Sequence, residues 1–148
     1  MNVKLIAVIA ALAGFGALVC ASEVKINTTE VEGRLVDDID LPFVNDPEVL
    51  GAWESVDIVT EPEDFVPGVK RFTEALYLKG LTFKADGRMN GIWLSWTKGV
   101  ILDHGYDHTA ARYSIKEMNG AKYMFYEWKS GDYVIRHQKP CWYVLKKK

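Results

Sequence analysis

From residue 51 onward, apolar and polar positions alternate in short runs separated by turn residues. The runs 51–59, 74–84, 90–97, 99–103, 110–118, 121–129, 132–138 and 141–147 read as strands, because successive strand side chains point to opposite faces of a sheet. Asp86-Gly87, Asn119-Gly120 and Ser130-Gly131 stand at the joints, and each pair tolerates the positive φ that tight hairpins demand. Ahead of them, Asn45-Asp46-Pro47-Glu48 offers a capping side chain, a first-turn proline and an acid near the positive helix end. That is a helix start with room for one turn before Gly51. No later stretch carries a long helical period with caps, which argues against a parallel α/β fold. Consecutive runs joined by short turns predict an all-β, antiparallel up-and-down meander. About eight strands of this kind close into a barrel wide enough for one small ligand.

Several runs are apolar on both faces. Leu76 and Leu78 oppose Tyr77, Leu81 and Phe83, while Met124, Tyr126 and Trp128 oppose Tyr123 and Phe125. A second apolar face calls for a covering element, a partner surface or a large aromatic-lined interior. Residues 61–68, with Pro62 and Pro67, form the one long connection and are a candidate lid over one end of the barrel. Residues 22–44 have few aromatics, several acids and weak alternation. They are expected as an acidic tether or a loosely attached strand, ahead of a barrel domain at 45–148.

The chain opens with a short basic start at residues 1–4 and an unbroken apolar run at 5–21. These 21 residues read as a secretory signal peptide cut before Ser22, which makes the mature chain secreted or periplasmic. An uncleaved anchor is the alternative, but 17 apolar residues lie at the bottom of the spanning range. Cys20 permits a third reading, removal of the leader by a lipoprotein peptidase and acylation of the thiol. Val19 stands where such sites want a small residue, and membrane attachment is expected only if Cys20 is lipidated. If cleavage removes Cys20, Cys141 is left alone and is expected as a buried, small apolar group.

Charge changes the picture in two ways. The 148 residues carry a formal charge of -2, which lacks the basic footprint of a nucleic-acid binder. The distribution is uneven: residues 22–66 hold 13 acids against Lys25 and Arg34, net -11, and residues 67–148 hold 15 bases and 7 acids, net +8. Either the acidic lead-in lies across a basic domain surface, or the basic half keeps a face for an anionic ligand or membrane. The scattering of the lysines favours the first.

The turn Asp46-Pro47-Glu48-Val49-Leu50, followed by Gly51-Ala52-Trp53, resembles the opening of lipocalin-like barrels, where a short helical turn closes one end. In them a G-x-W places the Trp on the barrel floor. Phe43-Val44-Asn45-Asp46-Pro47-Glu48-Val49-Leu50-Gly51, Leu76-Tyr77-Leu78-Lys79, Trp96-Thr97-Lys98-Gly99 and Glu127-Trp128-Lys129-Ser130-Gly131-Asp132-Tyr133 extend the resemblance over residues 43–147. It is to a small bacterial extracytoplasmic domain found alone or appended to bla-regulator-type membrane sensor proteins. The resemblance implies a lipocalin-like sensing or binding module, and with it a possible membrane-protein partner. In such barrels a basic side chain often stacks on the floor Trp; by position alone Arg136 is the residue that the resemblance offers for Trp53, the alternative being a solvated strand residue. No H-E-x-x-H is present, so no peptidase role carries over.

Catalytic signals are sparse. Asp103-His104-Gly105-Tyr106-Asp107-His108 packs two His and two Asp into six residues, and His104 and His108 are the candidate ligands for Zn²⁺ or Cu²⁺. A predicted turn splays such side chains without a rigid shell, so a solvated turn is expected, with His137 joining only if the rim brings it close. Cys141 with His137 or His104 is a weak nucleophile pair, and G-x-S-x-G is absent. Glu117 and Glu127 flank one hairpin as a candidate carboxylate pair, with nearby lysines making ion pairing the ordinary explanation.

The aromatics are the remaining signal, since five Trp are more than a core of this size requires. Tyr77, Trp93, Trp96 and Trp128, with Trp53 and Arg136, are therefore the expected ligand-binding residues. Parity puts Trp93 and Trp96 on opposite faces, so at least one of them is not in the interior. The expectation is a non-enzymatic module without cofactor that holds a small apolar or amphiphilic ligand. The alternative is a protein-docking or sensor accessory domain with a packed interior.

Overall fold

The computed structural model describes residues 23–132, 136 and 141–148. The expected leader, with Cys20 and the cut before Ser22, lies outside them, as do Tyr133 and His137. A hairpin of β1 (Thr28–Val31) and β2 (Arg34–Asp37) precedes seven strands: β3 (Gly51–Val59), β4 (Gly80–Phe83), β5 (Leu94–Thr97), β6 (Val100–Asp103), β7 (Thr109–Met118), β8 (Ala121–Glu127) and β9 (Trp142–Lys147). The seven form one antiparallel sheet in the order β4-β3-β9-β8-β7-β6-β5.

That order is an up-and-down meander in which the last strand returns to pair with the first. The outer edges of the sheet are β4 and β5, and residues 88–90 draw them together. Met89 bridges Phe83, and Arg88 bridges Ser95. The sheet is thereby nearly closed into a barrel, which leaves little free edge for pairing with other chains.

Turn chemistry explains the tight joints. Asn119 and Gly120 have φ of 50° and 76° between β7 and β8, the backbone of a type I′ hairpin. The expected helical turn before Gly51 is a hydrogen-bonded turn, in which the Val49 N–H donates to the Asp46 carbonyl at 3.2 Å.

Residues 74–79, expected as strand, fall outside β4, although the Ser55 N–H still donates to the Lys79 carbonyl at 2.9 Å. The register of β3 against β9 shifts between Ser55 and Asp57, a bulge that re-aims the strand. Beyond it the Asp57 carboxylate accepts the backbone N–H groups of Arg71 and Phe72, both at 2.9 Å. β3 thus holds the long connection through a side chain where a longer β4 would have paired. Leu76 and Leu78 still pack on the core. Most of the run expected at 132–138 lies outside the described residues; Arg136 itself is not in a strand, and its N–H donates to the Asp132 carbonyl at 3.0 Å.

Both outer apolar faces have covers. Residues 61–68 are not a lid over the barrel end: Phe65 lies on the outside of the wall against Tyr123 and Phe125, with Val59 and Val144 in the same cluster. On the opposite side Ile26, Ile39 and Leu41 cover Val100, Leu102 and Ala110. The segment expected as an acidic tether is therefore a strap across β6 and β7 that carries the β1–β2 hairpin.

Candidate functional site

The strands alternate in direction, which sorts the connections between two ends. The floor holds the turn at 46–49 and the links at 84–87, 98–99 and 119–120. The mouth holds the connections at 60–79, 91–93 and 104–108 and the residues 128–132 that follow β8.

The floor is packed. Trp53 is buried and its indole N–H donates to the Val49 carbonyl at 2.7 Å. The cation beside its ring is Lys147, with Nζ 5.5 Å from the centroid and donating to the Glu48 carbonyl at 3.0 Å. Arg136, expected in that place, instead donates to the Leu35 carbonyl and to Asp37. Trp96 is inside, its indole N–H on the Lys84 carbonyl at 2.9 Å. Phe83 on β4 meets Tyr113 on β7 with centroids 5.9 Å apart. Those two strands are not neighbours in the sheet, so the contact spans the lumen. Burial pushes the phenol of Tyr113 upward, and its hydrogen bond to Asp46 adds to that; burial does the same to Tyr126. Both remain neutral.

The mouth is different. Tyr77 is 86% exposed, Ile92 91%, Trp93 60% and Tyr106 83%, and each belongs to a different mouth connection except Ile92 and Trp93, which share one. Trp128 reaches inward over Tyr143 at 5.1 Å and Tyr126 at 6.4 Å. The connections touch one another around the rim. The Leu78 N–H donates to the Tyr143 hydroxyl at 3.3 Å, the His104 N–H donates to the Trp93 carbonyl at 2.8 Å, and the Gly131 N–H donates to Asp107 at 3.3 Å. Arg34 from the strap lies over the Tyr106 ring, 3.5 Å from its centroid, and donates to the Tyr106 carbonyl.

Of the expected ligand-binding residues, the structure brings Tyr77, Trp93 and Trp128 to one end and leaves Trp53 and Trp96 in the floor. Trp96 is inside and Trp93 is outside, but Trp93 lies in the link before β5, so strand parity is not what separates them. Ile92, Tyr106 and Lys147 were not singled out. The signal for Lys147 lies in the topology, since a last strand returning to the first sets its end beside Trp53.

Asp37 is the electrostatic centre of the strap. Its buried carboxylate accepts from Thr28 at 2.6 Å, Arg136 at 2.8 Å, the Ala110 N–H at 2.9 Å and Lys129 at 3.3 Å. Burial pushes its pKa up, but these partners outweigh burial and hold the carboxyl below its ordinary range.

The other chemical candidates are not assembled. His104 Nε2 is 2.6 Å from Ser95 Oγ, and the His108 carbonyl accepts from the Asp37 N–H at 3.1 Å. Among the described residues no three His, Cys, Asp or Glu side chains gather as a metal group. Glu117 sits opposite Lys122 while Glu127 lies at the other end of the same hairpin, so the two carboxylates do not face each other. Burial pushes the Cys141 thiol up, away from the thiolate a nucleophile needs.

No protein family, curated protein or solved structure matches the chain.

Proposed function

We propose that this protein is an exported, non-enzymatic binding module that takes a small apolar or amphiphilic ligand at the mouth of its barrel. The observation that carries the reading is the gathering of Tyr77, Ile92, Trp93, Tyr106 and Trp128 on connections at that one end. Exposed aromatic side chains bury much area at low entropic cost when a ligand covers them. Export rests on the basic start and apolar run of the first 21 residues.

The test is titration of the mature protein with N-phenyl-1-naphthylamine, a neutral apolar fluorophore. Saturable binding that weakens at least about tenfold in Trp93→Ala and in Trp128→Ala is expected. Absent saturation, or affinity indifferent to both substitutions, refutes the reading.

A second reading has its own observation. The Phe83–Tyr113 contact fills the lumen near the floor, which favours a docking or sensor accessory domain whose rim meets a protein, with a membrane sensor as the partner implied by the resemblance. In that case the fluorophore does not bind, and sedimentation shows a dimer or a complex that Trp93→Ala dissolves.

A further inference from the structure

The strap leaves space between itself and the barrel wall. A cavity of about 520 Å³ opens there, outside the lumen and on the floor side of the strap, and it lies within the size range of small-molecule sites. Its apolar wall is Val24, Leu41 and Val44 from the strap and Val100 from β6, and two bases, Lys98 and Arg112, stand in the same lining with Glu23 as its acid.

The remaining polar side chains of the lining are already engaged. Thr97 Oγ1 donates to the Pro42 carbonyl at 2.9 Å and accepts from the Val44 N–H at 2.8 Å, and the Tyr113 hydroxyl donates to Asp46 at 2.9 Å. Arg112 spends one donor on the Val24 carbonyl at 3.0 Å, leaving further guanidinium donors. Lys98 makes no side-chain hydrogen bond or ion pair among the described residues. What the cavity has to offer a ligand is therefore an apolar wall and cationic donors at its edge.

We infer that this cavity binds a single-chain anionic amphiphile, its tail along Val24, Leu41, Val44 and Val100 and its carboxylate on Lys98 and Arg112. Tail burial supplies non-directional affinity. The charge-assisted hydrogen bonds supply selectivity for the acid over an alcohol or amine of the same length. The site is separate from the mouth and goes beyond the reading given above.

The test is calorimetric titration of the mature protein with sodium decanoate below its micelle-forming concentration. One decanoate per chain is expected, with affinity falling about tenfold in Lys98→Gln, the equivalent of about 1.4 kcal/mol, and unchanged in Lys70→Gln. Val44→Trp, at a partly exposed strap position, fills the cavity and abolishes binding; if that variant does not fold, Lys98→Gln decides. Decanol and decylamine bind at least about tenfold more weakly than decanoate. The inference is overturned if decanoate does not saturate, if decanol equals it, if Lys98→Gln changes nothing, or if only phosphatidylglycerol vesicles bind. A protein that binds decanoate through Lys98 but ignores the naphthylamine keeps this site and loses the mouth; the opposite pattern does the reverse.

Discussion

Replacing Asp37 by asparagine removes one negative charge from a place where two positive ones depend on it. The side chain of Asp37 is fully buried, and those of Lys129 and Arg136 are only 14% and 8% exposed. Breaking a buried ion pair from one side costs about 3–5 kcal/mol, because the stranded charge stays out of water. Asparagine can keep its one acceptor oxygen at the Oδ1 position, where it serves both Thr28 and Arg136, and Lys129 has a flexible stem with which to reach solvent, so the lower end of that range, about 3 kcal/mol, is expected. For a domain of this size that corresponds to a melting temperature lowered by about 12 °C.

Urea unfolding of the wild type and Asp37→Asn at several pH values measures the loss directly. Because the folded state holds the Asp37 carboxyl below its ordinary 3.8, the unfolded chain binds the proton more readily. The contribution is fully present above 3.8 and is lost as pH falls through the lower folded value. The difference between the two proteins should therefore be constant from about pH 5 to 7 and shrink below about pH 3.8. A loss under about 1 kcal/mol at pH 7 would refute the view that this carboxylate fastens the strap. So would a difference that grows as the solution is acidified.

Three further outcomes follow from particular contacts. Asp57→Asn leaves at least one of the three backbone N–H groups of Ile58, Arg71 and Phe72 without its acceptor; a loss of about 2 kcal/mol is expected, with faster amide exchange at Arg71 and Phe72. At Gly131 an added Cβ would lie 2.3 Å from the Asp107 carbonyl oxygen, so Gly131→Ala should push the two mouth connections apart at a cost of about 1–3 kcal/mol, read as weaker naphthylamine binding together with a lower melting temperature. Lys147→Gln removes the cation from the Trp53 ring, and a modest loss of about 0.5–1 kcal/mol with a changed Trp fluorescence spectrum is expected.

The parts of the fold that could be read from the chain are those set by local rules. β3, β7, β8 and β9 alternate over enough residues to declare themselves, and Asn119-Gly120 fixes its hairpin through two positive φ angles. The β1–β2 hairpin had the same kind of signal, since Glu32 and Gly33 take φ of 51° and 75°, but four-residue strands in an acidic stretch carry too little alternation to stand out. The shortening of the run at 74–84 depended on a bulge at Ser55/Asp57 and on a carboxylate reaching to residues 71 and 72. No periodicity in residues 74–79 records that. The aromatic rim was half legible: composition flagged Tyr77, Trp93 and Trp128, but which end they share follows only from strand direction. Asp37 and Arg136 lie far apart in the chain, and nothing in the spacing of either announces the other.

The pairing of β3 with β9, from Trp53 opposite Lys147 to Val59 opposite Trp142, makes the barrel a ring whose seam lies between its first and last staves. Its formation must wait for nearly the whole barrel sequence, since contacts this distant along the chain form late and slow the folding reaction. A growing chain that has reached only Glu127 holds a ribbon with β3 and β8 as open edges, each offering unpaired N–H and C=O groups to any neighbouring chain. The six residues Trp142–Lys147 pair with both. Until they arrive the chain is open to association with its own copies, and once they are in place that hazard is removed from both edges at the same moment.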